Sequence, residues 1–153
     1  MKLDLPRLLS TLTLVFAAAA AHAGDAPVVS DAWSRATAPG VEVGAAYLVI
    51  KGGRRDDRLV GASSKRADMV HLHDVVEEDG VAKMRSTGDV PVPAGQRVEL
   101  APKGKHLMLM GLDAPLVEGQ TYTIVLRFAD AGEQTVAVTV RAATEVGGAH
   151  AHH

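Results

Sequence analysis

The chain has 153 residues, a formal net charge of −2 at pH 7 and no cysteine. A slightly acidic chain without a basic stripe is not expected to bind nucleic acid, and its aromatic content of 3% is too low for base stacking. The absence of cysteine excludes thiol redox chemistry, a cysteine nucleophile and any metal site built from thiolates.

The N-terminal segment has the pattern of a secretory signal peptide. Lys2 and Arg7 stand at its start, an apolar run covers residues 8–21, and Ala21-His22-Ala23 matches an A-x-A cleavage site. The run is short for a membrane span, and no cysteine follows it to carry a lipid. We predict that residues 1–23 are removed and that the protein is periplasmic, without stable insertion in the membrane.

The rest of the chain shows short apolar or alternating stretches separated by turn residues. No stretch shows a sustained helical period with caps. The pattern predicts one all-β domain over residues 24–144, a sandwich or barrel. Residues 145–153 are predicted to be a flexible tail. The predicted strands cover residues 28–35, 43–51, 59–63, 68–76, 81–85, 96–100, 105–111, 121–128 and 135–141, and the proline-containing residues 90–95 are an edge strand or a loop.

One predicted strand carries an unusual set of side chains. In KHLMLMG, which begins at Lys105, strand alternation places His106, Met108 and Met110 on one face and the leucines on the other. The leucine face can enter a core. Imidazole and thioether together are ligands that suit Cu(I). Taken alone, the strand also fits an ordinary buried strand with two space-filling methionines.

A second histidine and methionine meet on the hairpin around Gly80. With a four-residue loop over residues 77–80, His73 lies directly opposite Met84. With a two-residue Asp79-Gly80 turn, the same two residues are diagonal neighbours on one face. Two such His/Met pairs can form a four-coordinate site for Cu(I), and thioethers do so where thiols would be oxidised.

Several residues near these two pairs are interpreted one by one. His71 shares a face with His73 and is interpreted as a surface histidine, with copper handover as the alternative. We interpret Met110 as a wall of the site, Met69 as a core residue and Trp33 as a packing residue. The acidic run that includes residues 77–79 is interpreted as a solvated turn, with attraction of copper or of a partner as the alternative.

These residues match a known family. His73, Met84, His106 and Met108 fit the signature His-x10-Met-x21-His-x-Met, and the chain resembles the periplasmic copper chaperones called PCu(A)C. The stretch DAWSRATAPGVEVGAAYLVI, residues 31–50, strengthens the resemblance. One departure is that many members carry an extra methionine near the first histidine, where this chain has Asp-Val.

The resemblance implies a cupredoxin-like barrel with one exposed Cu(I) site and no enzymatic activity. It implies copper delivery to the Cu(A) centre in subunit II of cytochrome c oxidase, beside a Sco-type protein. We expect a monomer. The alternatives are a copper storage or resistance protein and an electron-transfer cupredoxin-like protein, although the latter needs a cysteine ligand that the chain lacks.

The sequence also bears on hydrolase activity and on a second metal site. A hydrolase is not expected, because the chain contains neither a G-x-S-x-G nor an H-E-x-x-H motif. The tail carries His150, His152 and His153 after two glycines, and imidazole suits Cu(II). We predict that these histidines form a second, Cu(II)-collecting site, with an inert tail as the alternative.

Overall fold

The computed structural model describes residues 24–143. The predicted signal peptide and the predicted tail site at His150, His152 and His153 lie outside the described residues. Within that range no helix is long and apolar enough to cross a membrane. The regular elements of residues 24–143 are all strands, which confirms the all-β prediction. They are β1 (Val28–Arg35), β2 (Val43–Lys51), β3 (Asp57–Ser63), β4 (Ala67–Glu78), β5 (Val81–Ser86), β6 (Val90–Val92), β7 (Arg97–Leu100), β8 (His106–Leu112), β9 (Thr121–Phe128) and β10 (Gly132–Arg141).

The strand boundaries follow the turn residues. β1, β2 and β9 begin and end where the sequence predicts. β4 is longer than predicted, because only Asp79 and Gly80 lie outside the hairpin pairing, with φ of 54° and 75°. Both residues are left-handed, as a type I′ turn requires. The proline-containing β6 pairs only with β3 at the end of the sheet, where a missing N–H is tolerated.

The strands close into a barrel. Seven of them form a ring in the order β4-β8-β2-β1-β10-β9-β3, and β3 returns to β4 through the pair Ala62 and Val70. β5, β6 and β7 extend the ring from β4, β3 and β2. The β1–β10 pairing is parallel and the other pairings are antiparallel. A closed ring leaves few unpaired edges, which protects an all-β protein from aggregation.

The interior of the barrel takes one face of each strand. Leu107 and Leu109 of β8 are completely buried in it, as the alternation predicts. Gly111 has a φ of 70°, and this break in the alternation accompanies the burial of Leu112, which is only 8% exposed. Because the leucines point inward, His106 and Met108 lie on the opposite face, outside the hydrophobic core.

Candidate metal centre

The pairing of β4 with β8 brings three of the four predicted ligands together. His73 is the Cα partner of His106, and the centroids of their rings are 5.8 Å apart. Met108 is the next outward-facing residue after His106 and pairs with His71. Directly paired residues of an antiparallel sheet have Cβ atoms about 4.5–5.5 Å apart. The two strands therefore hold these side chains in one cluster.

The hairpin of β4 and β5 adds the fourth predicted ligand. Val75 pairs with Met84, so Met84 lies diagonally from His73 and not directly opposite it. The four-residue loop is therefore wrong and the Asp79-Gly80 turn is right, because both turn residues adopt positive φ. Met84 lines the same open cavity of about 350 Å³ as His106 and Met108.

The tautomer of the neutral His106 ring is set by its own chain. The side chain is buried, and its Nδ1 atom lies 2.9 Å from the carbonyl oxygen of Gly104. A carbonyl oxygen only accepts hydrogen bonds, so Nδ1 must carry the proton and donate. The Nε2 atom is then left with a free lone pair, which is the form that binds a metal ion. The carbonyl of Gly104 also orients the ring, as such partners of metal-binding histidines commonly do.

His73 has the opposite hydrogen-bonding environment. Its Nδ1 atom is buried and has no hydrogen-bond partner among the described residues. Burial lowers the pKa of His73 below its ordinary 6.5, and the neighbouring His106 and His71 lower it further. The ring is therefore neutral at pH 7, as a metal ligand must be. A buried polar atom without a partner costs free energy unless a ligand satisfies it.

The donor set is chemically soft. Met84 is 53% exposed and Met108 is partly buried, so a thioether is accessible from solvent. Two imidazoles and two thioethers are soft donors, and such a set suits Cu(I) better than Zn(II). Residues 24–143 contain no group of three or more His, Asp or Glu side chains placed to hold a metal ion.

One aromatic ring that the sequence does not single out, that of Tyr47, borders the cluster. The ring of Tyr47 lies 6.5 Å from that of His106, and the ring of Trp33 lies 4.6 Å from Tyr47. The guanidinium of Arg141 lies 4.8 Å from the centre of the Trp33 ring. Trp33 is therefore a packing residue, as interpreted. Tyr47 could have been noticed as the aromatic residue at the centre of the apolar β2 segment, but its neighbour on β8 is not evident from sequence.

The charged side chains near the cluster are largely paired with one another. Lys105, just before His106, forms a 3.0 Å ion pair with Asp74, just after His73. Glu78 forms ion pairs with basic side chains of β5. The Lys105–Asp74 pair spans the two strands that carry the histidines, and at this partial exposure such a pair contributes up to about 1 kcal/mol. Asp74 and Glu78 are thus paired, while Glu77 and Asp79 are exposed at the hairpin turn, in keeping with its interpretation as a solvated turn.

The remaining soft side chains lie on the same face. His71 and Met110 are partly buried, and Met110 pairs with Met69. The interpretation of Met69 as a core residue is wrong, because its side chain is 53% exposed. Strand alternation places it with the histidines and away from the buried leucines, and this overrides the apolar character of methionine.

Comparison with known proteins gives the chain a family. Residues 27–140 match the model of the family described as "Putative lipoprotein LpqE-like". The chain belongs to the LpqE-like family. It is also 40% identical over 119 residues to "Putative lipoprotein Lxx21020" of Leifsonia xyli subsp. xyli, covering 76% of this chain and 70% of that protein.

Solved structures with the same fold are PCuAC domains. The copper-bound PCuAC domain of PmoF2 is 26% identical, with a TM-score of 0.65 over 76% of this chain and 92% of that one. DR1885 of Deinococcus radiodurans, without metal, is 29% identical, with a TM-score of 0.62 over 96% and 100%. Its Cu(I) form is 31% identical, with a TM-score of 0.61 over 82% and 83%. The PCu(A)C resemblance and the cupredoxin-like fold are thereby confirmed for this LpqE-like protein.

Proposed function

We propose that this protein is an exported, non-enzymatic copper chaperone that carries one Cu(I) ion on His73, Met84, His106 and Met108. The observation that carries the proposal is the state of the two imidazoles. Gly104 leaves Nε2 of His106 free to coordinate, and Nδ1 of His73 is buried without a partner. Both rings lie on one face with two thioethers, the donor set that Cu(I) prefers. Copper is the cargo of this site.

The comparisons support the proposal at a coarser level. The PCuAC domain of PmoF2 is titled as copper-bound and DR1885 as a CuI form, and both share the barrel. The family and the Leifsonia relative are named as lipoproteins, which supports export. The predicted signal peptide at residues 1–23 makes the periplasm the compartment we propose.

The acceptor of the copper is proposed from the PCu(A)C resemblance. A monomeric chaperone would deliver Cu(I) to the Cu(A) domain of cytochrome c oxidase subunit II, alongside a Sco-type protein. The exposure of Met84 is in keeping with transfer, because an incoming ligand can reach Cu(I) from the side on which this thioether lies. Storage or resistance is the second candidate, and it requires no acceptor.

Anaerobic competition against a chromophoric Cu(I) chelator tests the ligand set. Met84→Leu and Met108→Leu conserve volume and apolarity but remove sulfur. We expect each to weaken Cu(I) binding at least about tenfold, and the folded domain to prefer Cu(I) to Cu(II). Val81→Thr is a matched control, because Val81 lies on the same strand as Met84 and is 57% exposed. Unchanged affinity in both methionine variants would contradict the assignment.

Transfer to a purified, copper-free Cu(A) domain separates the chaperone from a storage protein. The Cu(I)-loaded chain is mixed with the acceptor and a Sco-type protein under reductant. The amount of copper that the acceptor gains should rise in proportion to the amount of copper supplied on the chain. Retention of copper at excess acceptor would favour storage. Native mass spectrometry of both proteins reads out the distribution.

A further inference from the structure

Three soft side chains on the site's face remain without a role. Strand pairing places Met69 opposite Met110 and His71 opposite Met108. The β4–β8 pairing therefore carries three successive pairs of potential copper ligands, of which the proposed primary site uses the first pair and half of the second. The other half of the second pair and the whole third pair form a separate group: Met69, His71 and Met110.

The exposure of this group is not what packing alone would produce. Met69 is 53% exposed, although the solvent-facing side of a strand normally carries polar or β-branched residues. Met69 and His71 line an open depression of about 250 Å³ together with Asp68. Solvent therefore reaches two of the three soft side chains, Met69 and His71.

We propose that Met69, His71 and Met110 form a second, weaker Cu(I) site next to the primary one. One imidazole and two thioethers make a three-coordinate soft site without thiols. The inference rests on the proposed copper function but uses none of its four ligands. The second site is weaker, because it has one ligand fewer.

The position of the second site suggests its use. The ring centroids of His71 and His73 are 6.2 Å apart, so the two sites are adjacent along β4. Copper passes between them by ligand exchange: a bond from Cu(I) to one imidazole or thioether forms as another breaks. The oxidation state of the copper is unchanged. The second site is thus an intermediate binding site through which copper enters or leaves the primary site.

Residue-specific NMR on the full chain tests the second site. The ε-methyl carbons of the methionines are labelled, assigned with Met→Leu variants and followed during anaerobic titration with Cu(I) acetonitrile complex. We expect the Met84 and Met108 signals to move during the first equivalent of copper, and those of Met69 and Met110 during the second. Substituting the tail histidines, His150, His152 and His153, with alanine in a parallel sample removes copper bound there.

A volume-conserving variant provides the matched control. Met69→Leu should weaken the second event at least about tenfold and leave the first affinity within about twofold, with an unchanged melting temperature of the copper-free form. His71→Leu should weaken the second equivalent at least about tenfold. Met69 and Met110 signals that stay fixed through two equivalents overturn the second site and leave the proposed function intact. Signals of all four methionines moving together in the first equivalent also overturn it, because they indicate one extended site. Movement of Met69 and Met110 alone supports the second site and contradicts the primary ligand set.

Discussion

Two polar side chains with buried atoms, Asp57 and His73, are treated in opposite ways by this fold. The carboxylate of Asp57 accepts backbone N–H bonds from Arg58, Asp130 and Ala131 at 2.7, 2.9 and 3.0 Å. The buried Nδ1 of His73 has no partner among the described residues. Burial of Asp57 is compensated by the chain itself, whereas burial of His73 is not.

The pKa shifts of the two groups record the same difference. Burial raises the pKa of Asp57, but the N–H groups of Asp130, Arg58, Ala131 and Ala129 outweigh burial and hold its pKa below the ordinary 3.8. Burial lowers the pKa of His73, and the adjacent histidines act in the same direction. A buried polar group satisfied by its own chain serves the fold, and one left unsatisfied in a ligand-rich cluster is a candidate for binding.

The largest expected effect comes from removing the unsatisfied group. His73→Leu eliminates one proposed ligand, and we expect the Cu(I) affinity to fall by about 100-fold or more, since even residues that only orient metal ligands change affinity 10–100-fold. The copper-free protein should be as stable as the wild type or more stable, because no hydrogen bond is lost. Chelator competition and thermal unfolding measure the two quantities. A strongly destabilised copper-free variant would show that His73 serves the fold.

The satisfied group should show the reverse pattern. Asp57→Ala leaves three backbone N–H groups at the start of β3 and in the β9–β10 turn without their acceptor. We expect the free energy of unfolding to fall by about 2–3 kcal/mol, the scale of lost hydrogen bonds to a charged group. Cu(I) affinity of the folded protein should stay within about twofold. Denaturant unfolding with and without copper provides both numbers, and a specific loss of copper affinity would break the comparison.

A smaller effect is expected in the pH dependence of the copper-free protein. Since the pKa of His73 is lowered in the folded state, the ring has no effect on the pH dependence of stability well above pH 6.5, and below that value protonation of the ring in the unfolded state lowers the stability of the folded protein. The contribution of Asp57 is lost only at much lower pH, below about 3.8. Unfolding curves between pH 8 and 3 should show two separate losses, and His73→Leu should remove only the upper one. A single loss at low pH in the wild type would contradict the environment assigned to His73.

Much of this fold and site follows from local patterns in the sequence. Alternation alone places the leucines of β8 inward and His106 with Met108 outward. The sequence does not decide between the two-residue and the four-residue turn of the β4–β5 hairpin. The two-residue turn needs positive φ at both Asp79 and Gly80, and this is expected of glycine but uncommon for aspartate. The interpretation of Met69 as a core residue is wrong, because its position in the alternation decides its exposure and its apolar character does not.

The assembly of the candidate site depends on features that local patterns do not contain. β4 and β8 are separated by three strands in the chain, so their pairing follows from barrel closure and not from neighbouring residues. The spacing of the family signature picks out the four predicted ligands, but it does not show that β4 and β8 pair. The hydrogen bond from His106 to Gly104 depends on the shape of the turn before β8, and the unpartnered Nδ1 of His73 depends on what the rest of the fold leaves empty.

The barrel is closed between β3 and β4 by one residue pair, Ala62 and Val70. Because only one residue pair joins the two strands, this junction is the most weakly held part of the ring. Thermal breathing should widen the barrel there first, and the amide protons around Val70 should exchange with solvent sooner than those of the long β9–β10 pairing. β8 pairs with β4 on the other side of that strand, and this pairing holds His73 opposite His106. The barrel can therefore open and reclose at this seam while the separation of the two imidazoles stays constant.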